Sequence, residues 1–140
     1  MRARRFALWA ALAAAACGPS NGAATDYRAA TQSFSMRISS DPVPPHARER
    51  ITFKLVVRDK NSGQPIEGGE GRIYANNRQG AGKTWDSFVA APAPGTYYAN
   101  LYFVTAENYA MGLQFRRAST DSLETVDWVQ EVRPERPAIP

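Results

Sequence analysis

One cysteine, Cys17, and one histidine, His46, are all the chain has of either residue. A lone thiol closes no internal disulfide, so stability has to come from packing. A single imidazole is too little for a zinc site, which normally takes three or four His, Cys or carboxylate ligands. It is also too little for a repertoire of activated nucleophiles, because a serine or threonine needs a base beside it. Paired carboxylates (Glu67 with Glu70, or Asp121 with Glu124) fall in polar loop-like stretches and read as solvated side chains. No segment has helical period, and no repeat or long like-charge run interrupts the chain. The longest apolar run, Phe6 to Ala16, is eleven residues, short of the roughly 20 that span a bilayer. These absences argue against an enzyme, a disulfide scaffold and a helical membrane span. They predict a non-catalytic protein with no cofactor.

The N-terminus is rich in one kind of signal. Arg2, Arg4 and Arg5 precede the apolar run, and Ala14, Ala15 and Ala16 lead directly into Cys17. This order resembles a bacterial lipoprotein signal, in which the cysteine receives the lipid; Ala14 stands where leucine is usual. The expected organisation is a signal over residues 1–16, lipidated Cys17 with a flexible tether through residue 32, one domain over 33–132, and a loose proline-rich tail over 133–140. Gly18 follows the cysteine, and the absence of aspartate there favours the outer membrane, with the domain facing the periplasm. Charge has to be read accordingly. The whole sequence has 17 basic and 13 acidic residues. Arg2, Arg4 and Arg5 leave with the signal, so the mature chain has 14 basic against 13 acidic, a net of +1. Nucleic acid, which calls for a concentrated basic patch, is not an expected partner.

Alternation of apolar and polar residues dominates what remains. Tyr97, Ala99, Leu101 and Phe103 point one way, and Tyr98, Asn100 and Tyr102 the other. Tyr109, Met111, Leu113 and Phe115 repeat the pattern after a short polar break. Period two over adjacent runs predicts a hairpin with one buried face. Phe34, Met36 and Ile38, and then Ile51, Phe53, Leu55 and Val57, mark two earlier strands. Shorter strands are expected around Ile73 and over 85–89, and a last one over 124–132. About seven strands with turn signals between them predict an all-β, immunoglobulin-like antiparallel sandwich.

Three motifs stand in order along these strands: Asp59 with Gly63-Gln64-Pro65-Ile66, then Pro94-Gly95-Thr96-Tyr97, then Asn108-Tyr109-Ala110-Met111. Together they resemble the immunoglobulin-like domain of YtkA and FixH proteins, over about residues 34–116. The resemblance implies an envelope accessory protein. FixH-like proteins are associated with assembly of a copper-containing respiratory oxidase, so it implies an accessory subunit or assembly factor docking on a membrane, redox-type complex.

The candidate site is made of aromatics. Tyr98 and Tyr102 lie on the outward phase of their strand, and Trp85 and Trp128 fit the core poorly, so these four are the expected partner-binding residues. A second reading is copper binding or delivery through Met36, Met111 and His46, soft ligands suited to Cu(I), although both methionines fall on inward phases. A third is a glycan- or peptide-binding module. Gly80-Ala81-Gly82-Lys83-Thr84 ends like a phosphate-binding loop, but that motif needs glycine where Asn77 stands and a helix afterwards.

Overall fold

The computed structural model describes residues 26–80 and 82–139. The expected export signal, Cys17 and the start of the tether lie outside them. Nine strands follow one another: β1 (Asp26–Ala30), β2 (Phe34–Asp41), β3 (Arg50–Asp59), β4 (Glu70–Asn76), β5 (Lys83–Ser87), β6 (Val89–Ala90), β7 (Thr96–Tyr102), β8 (Asn108–Arg116) and β9 (Glu124–Glu131). No helix occurs among the described residues. The first sheet has the order β1-β2-β3-β7-β6 and the second β5-β4-β8-β9. Every strand pairing is antiparallel.

The period-two pattern translates directly into burial. Tyr97, Ala99, Leu101 and Phe103 are all buried, while Tyr98 and Tyr102 are exposed. Ile51, Phe53, Leu55 and Val57 of β3 meet Ile73 and Ala75 of β4 and Leu113 and Phe115 of β8 in one core. Aromatic edges lock the two layers. Phe34 of the first sheet meets Phe115 of the second edge-on, with ring centroids 5.3 Å apart, and Tyr97 meets the same ring at 5.3 Å. Such pairs contribute about 1 kcal/mol beyond the area they bury.

The strand order matches the immunoglobulin-like arrangement, with β2-β3-β7-β6 in one sheet and β4-β8-β9 in the other. Tyr109, at the start of β8, supplies a tyrosine corner: its hydroxyl donates to the Thr105 carbonyl, 3.0 Å away. The first two sequence motifs also meet in space. Val57 N–H donates to Gly95 O at 2.8 Å, and Ile66 N–H donates to Val57 O at 3.0 Å. Gly95 has φ +68, and a Cβ there would press on Val57 O and on Pro65 and Ile66. Only glycine suits both the turn and the close approach.

Four expectations need correction. The sandwich has nine strands among the described residues, where the sequence suggests about seven. Asp26–Ala30, assigned to the tether, is a strand paired along β2 from Asp26↔Ser39 to Ala30↔Ser35. The expected single strand over 85–89 is one segment in two parts. β5 pairs with β4, Phe88 N–H then donates to Gly71 O at 2.9 Å, and β6 pairs with β7. The tail does not run free from Arg133. Ala47 N–H donates to Arg133 O, and Arg133 N–H donates to Pro45 O. Beyond it, Glu135 pairs with Arg48 and Arg136 with Glu49. Proline forbids a long ladder, but a single backbone bridge needs only the N–H and carbonyl of Arg133, just ahead of Pro134.

Candidate partner-binding surfaces

The four aromatic candidates occupy three different places. Tyr98 and Tyr102 lie on the outer face of the first sheet, 40% and 51% exposed. The β3–β7 register sets Tyr98 beside Lys54, Asn100 beside Thr52, and Tyr102 beside Arg50. Thr52 Oγ1 donates to Asn100 Oδ1 at 2.8 Å, which fixes the amide between the two phenols. Val89, 69% exposed, sits next to Tyr98 on the edge strand.

Trp85 lies on the other sheet. Asp86 turns the opposite way and accepts a hydrogen bond from Asn100 N–H at 2.8 Å, tying β5 to β7. Strand alternation then forces Trp85 outward, 65% exposed. Its cross-strand partner is Tyr74. Tyr74 in turn is paired with Gly112 of β8, and its ring lies where a Gly112 Cβ would be. Arg72, Tyr74, Asn76, Lys83, Thr84, Trp85 and Gln114 line an open cleft of about 520 Å³. Arg72 Nε donates to Gln114 Oε1 at 2.8 Å. Two aromatic surfaces, two cations and two carboxamides are chemistry for stacking and hydrogen bonding. Nothing in the cleft pairs a nucleophile with a base.

Trp128 belongs to neither surface. It is on the inward phase of β9 and stacks on Tyr27 of β1, with centroids 5.5 Å apart and planes 21° from parallel. Tyr27 Oη also donates to Asp127 O at 3.4 Å. The pair closes the gap between the edge strands of the two sheets. Trp128, expected among the partner-binding residues, instead packs between the sheets, because Asp26–Ala30 forms a strand that brings Tyr27 against it.

The thioethers are core residues: Met36 is 3% exposed and Met111 2%, one on each sheet. His46 is half-buried, and its Nδ1 lies 2.8 Å from Pro134 O. That contact makes Nδ1 the protonated nitrogen and takes it out of metal binding. No cluster of three His, Cys, Asp or Glu side chains suited to a metal exists among the described residues.

A hollow of about 570 Å³ at one end of the sandwich is lined by Ser33, Asp59, Asn61, Arg117 and Glu124 among others. Its polar groups are committed internally. Backbone N–H of Ser62, the Arg117 guanidinium and backbone N–H of Asn61 hold the Asp59 pKa down to about 2. Burial pushes the Glu124 carboxyl up, but hydrogen bonds from Ser33 and Thr31 outweigh it and keep the pKa below the usual value. These contacts bind turns to strands and leave little to offer a ligand.

No family profile and no curated protein matches the sequence. Solved structures do share the fold. A DUF4426 family protein from Pseudomonas aeruginosa PAO1 aligns with TM-score 0.62 at 13% identity, over 80% of this chain and 98% of that one. A copper-bound variant of FetP from uropathogenic Escherichia coli strain F11 aligns with TM-score 0.53 at 10% identity, over 84% and 97%. At such identities the likeness is one of fold, an all-β sandwich of two antiparallel sheets.

Proposed function

We propose that the chain is a non-catalytic, lipid-anchored envelope protein that acts by binding, as an accessory subunit or assembly factor of a membrane protein complex. The observation that carries this reading is Trp85, 65% exposed beside Tyr74 in a cleft with Arg72 and Lys83. Large aromatics and arginine are the residues that dominate protein–protein binding energy. An exposed indole set on an ordered strand is a pre-positioned anchor. The ordered motifs that resemble YtkA and FixH support the same class of role.

The test is a mild-detergent capture of the tagged, lipidated protein from its own membranes, read by mass spectrometry. One stoichiometric membrane complex is expected. Trp85→Ala with Lys83→Ala is expected to weaken its capture at least about thirtyfold, the loss of one strong anchor. A protein that comes down alone, or a double variant that captures as well as the parent, ends this reading.

Copper handling is the second reading, favoured by the fold likeness to copper-bound FetP. Met36 and Met111 would have to leave the core to reach a metal. A Cu(I) competition titration with no binding tighter than micromolar would dispose of it.

A further inference from the structure

The two outer faces of the sandwich differ in charge. The first sheet presents Arg28, Arg37, Arg50, Lys54 and Arg58 against only Asp26 and Asp41. The second presents Arg72, Lys83 and Arg116 against Glu70, Asp127 and Glu131, a balanced set. The mature chain is close to neutral, so its excess of positive charge on one sheet is segregation, not composition.

On the first sheet only Arg37 is neutralised, by Asp26 at 2.7 Å. Arg28, Arg50, Lys54 and Arg58 form no ion pair among the described residues. Arg28, Arg37 and Arg58 line a shallow depression of about 480 Å³ together with Ser35 and Val56. Arg37 is held by both oxygens of Asp26 and Arg58 gives one N–H to Gly63 O, so Arg28 and the remaining donors of Arg58 are the groups that would meet a phosphate in this open hollow. Further along the face stand Tyr98, Tyr102 and Val89, an apolar and phenolic fringe of the kind that seats at a headgroup boundary.

The chain outside the described residues points the same way. β1, whose Asp26 and Arg28 belong to this face, is the first strand of the described residues. Nine peptide steps separate Cys17 from Asp26, at most about 30 Å of fully extended chain. A lipid on Cys17 would hold this sheet within reach of the headgroups. We infer that the outer face of the first sheet lies on an anionic phospholipid surface, with lipid phosphate in the Arg28/Arg37/Arg58 depression, leaving the Trp85 cleft on the opposite face turned away from the bilayer. This inference rests on the reading of Cys17 as a lipid anchor. Electrostatic adhesion then supplies the second signal that makes acyl anchoring stable and fixes orientation.

The test separates adhesion from anchoring. Residues 18–140 contain both sheets and the whole core and lack Cys17, so the lipid plays no part. Co-sedimentation is measured with vesicles of phosphatidylcholine alone and of equal parts phosphatidylglycerol and phosphatidylcholine. Binding is expected on the anionic vesicles only, and it should fall as salt is raised. Each basic side chain near the surface is worth roughly fivefold in partition. Arg28→Ser with Lys54→Ser and Arg58→Ser should therefore weaken binding on the order of a hundredfold. Arg72→Ser with Lys83→Ser, on the opposite face, should leave it unchanged. Circular dichroism of each variant shows that the fold is kept. Equal binding to both vesicle types, or equal loss in the two variants, overturns the inference. So does an absence of binding to the anionic vesicles; if Tyr98→Ala with Tyr102→Ala then loses complex capture, the face is a protein interface instead. The mass of the mature N-terminus tests lipidation separately, so the anchor and the adhesive face can fail independently.

Discussion

Individual side chains do their work here at turns and corners. The Tyr97 hydroxyl donates to Ile66 O at 2.7 Å and accepts from Gly69 N–H at 3.0 Å. Tyr97→Phe keeps the ring against Phe115 and leaves both backbone groups without that partner. The expected cost is about 1–3 kcal/mol, seen as a lower urea midpoint with an unchanged slope. Asp59 works through charge. Its folded pKa of about 2 lies below the ordinary 3.8. Its contribution to stability is therefore complete above pH 3.8 and is lost as pH falls through about 2. Asp59→Asn should flatten the fall of the melting temperature across that window. A melting profile as steep as the parent's would show that other carboxylates govern acid unfolding.

At the scale of the strand, legibility followed the strength of alternation. β3 and β8 each carry four large apolar residues on one phase and β7 carries Tyr97, Ala99 and Leu101 with Phe103 just beyond it, and their faces are readable from the sequence. β1 offers only Tyr27 and Ala29 inward, too little area to stand out from a polar linker, so its existence depends on β2 and on Trp128. β5 and β6 pass from one sheet to the other, and a change of pairing partner leaves no period to detect. The candidate site shared this fate. Tyr98 and Tyr102 were legible as outward residues because their strand alternates strongly. The grouping of Trp85 with Tyr74 was not legible, since it depends on cross-strand register and on Gly112 making room. The position of Trp128 predicts its variants. Its Nε1 is buried with no hydrogen-bond partner among the described residues. Trp128→Phe removes that orphaned donor and keeps an aromatic plane against Tyr27, so stability should change by less than about 1.5 kcal/mol. Tyr27→Ala should cost more, because it strips the stack and frees β1. Thermal melts of the two variants decide the order, and neither should alter partner capture.

The whole molecule is a sandwich with two unlike faces. Charge is collected on one and an aromatic cleft is set in the other, with a committed polar hollow at one end. On the proposed reading, separation of this kind would let one small domain hold a surface and a partner at once, because about one sheet-to-sheet spacing of core, roughly 10 Å, lies between the two backbones. The strand edges carry a further consequence. Proteins confined to a surface meet one another sideways at high local density, and an open strand edge invites a second copy to add its own strand. β6 is only two residues long, and β9 carries carboxylates at Glu124, Asp127 and Glu131. Two such β9 edges repel, so crowding should leave the copies dispersed. Sedimentation velocity of residues 18–140 should show a monomer across the accessible concentration range. Asp127→Val with Glu131→Val should be the change that lets copies associate.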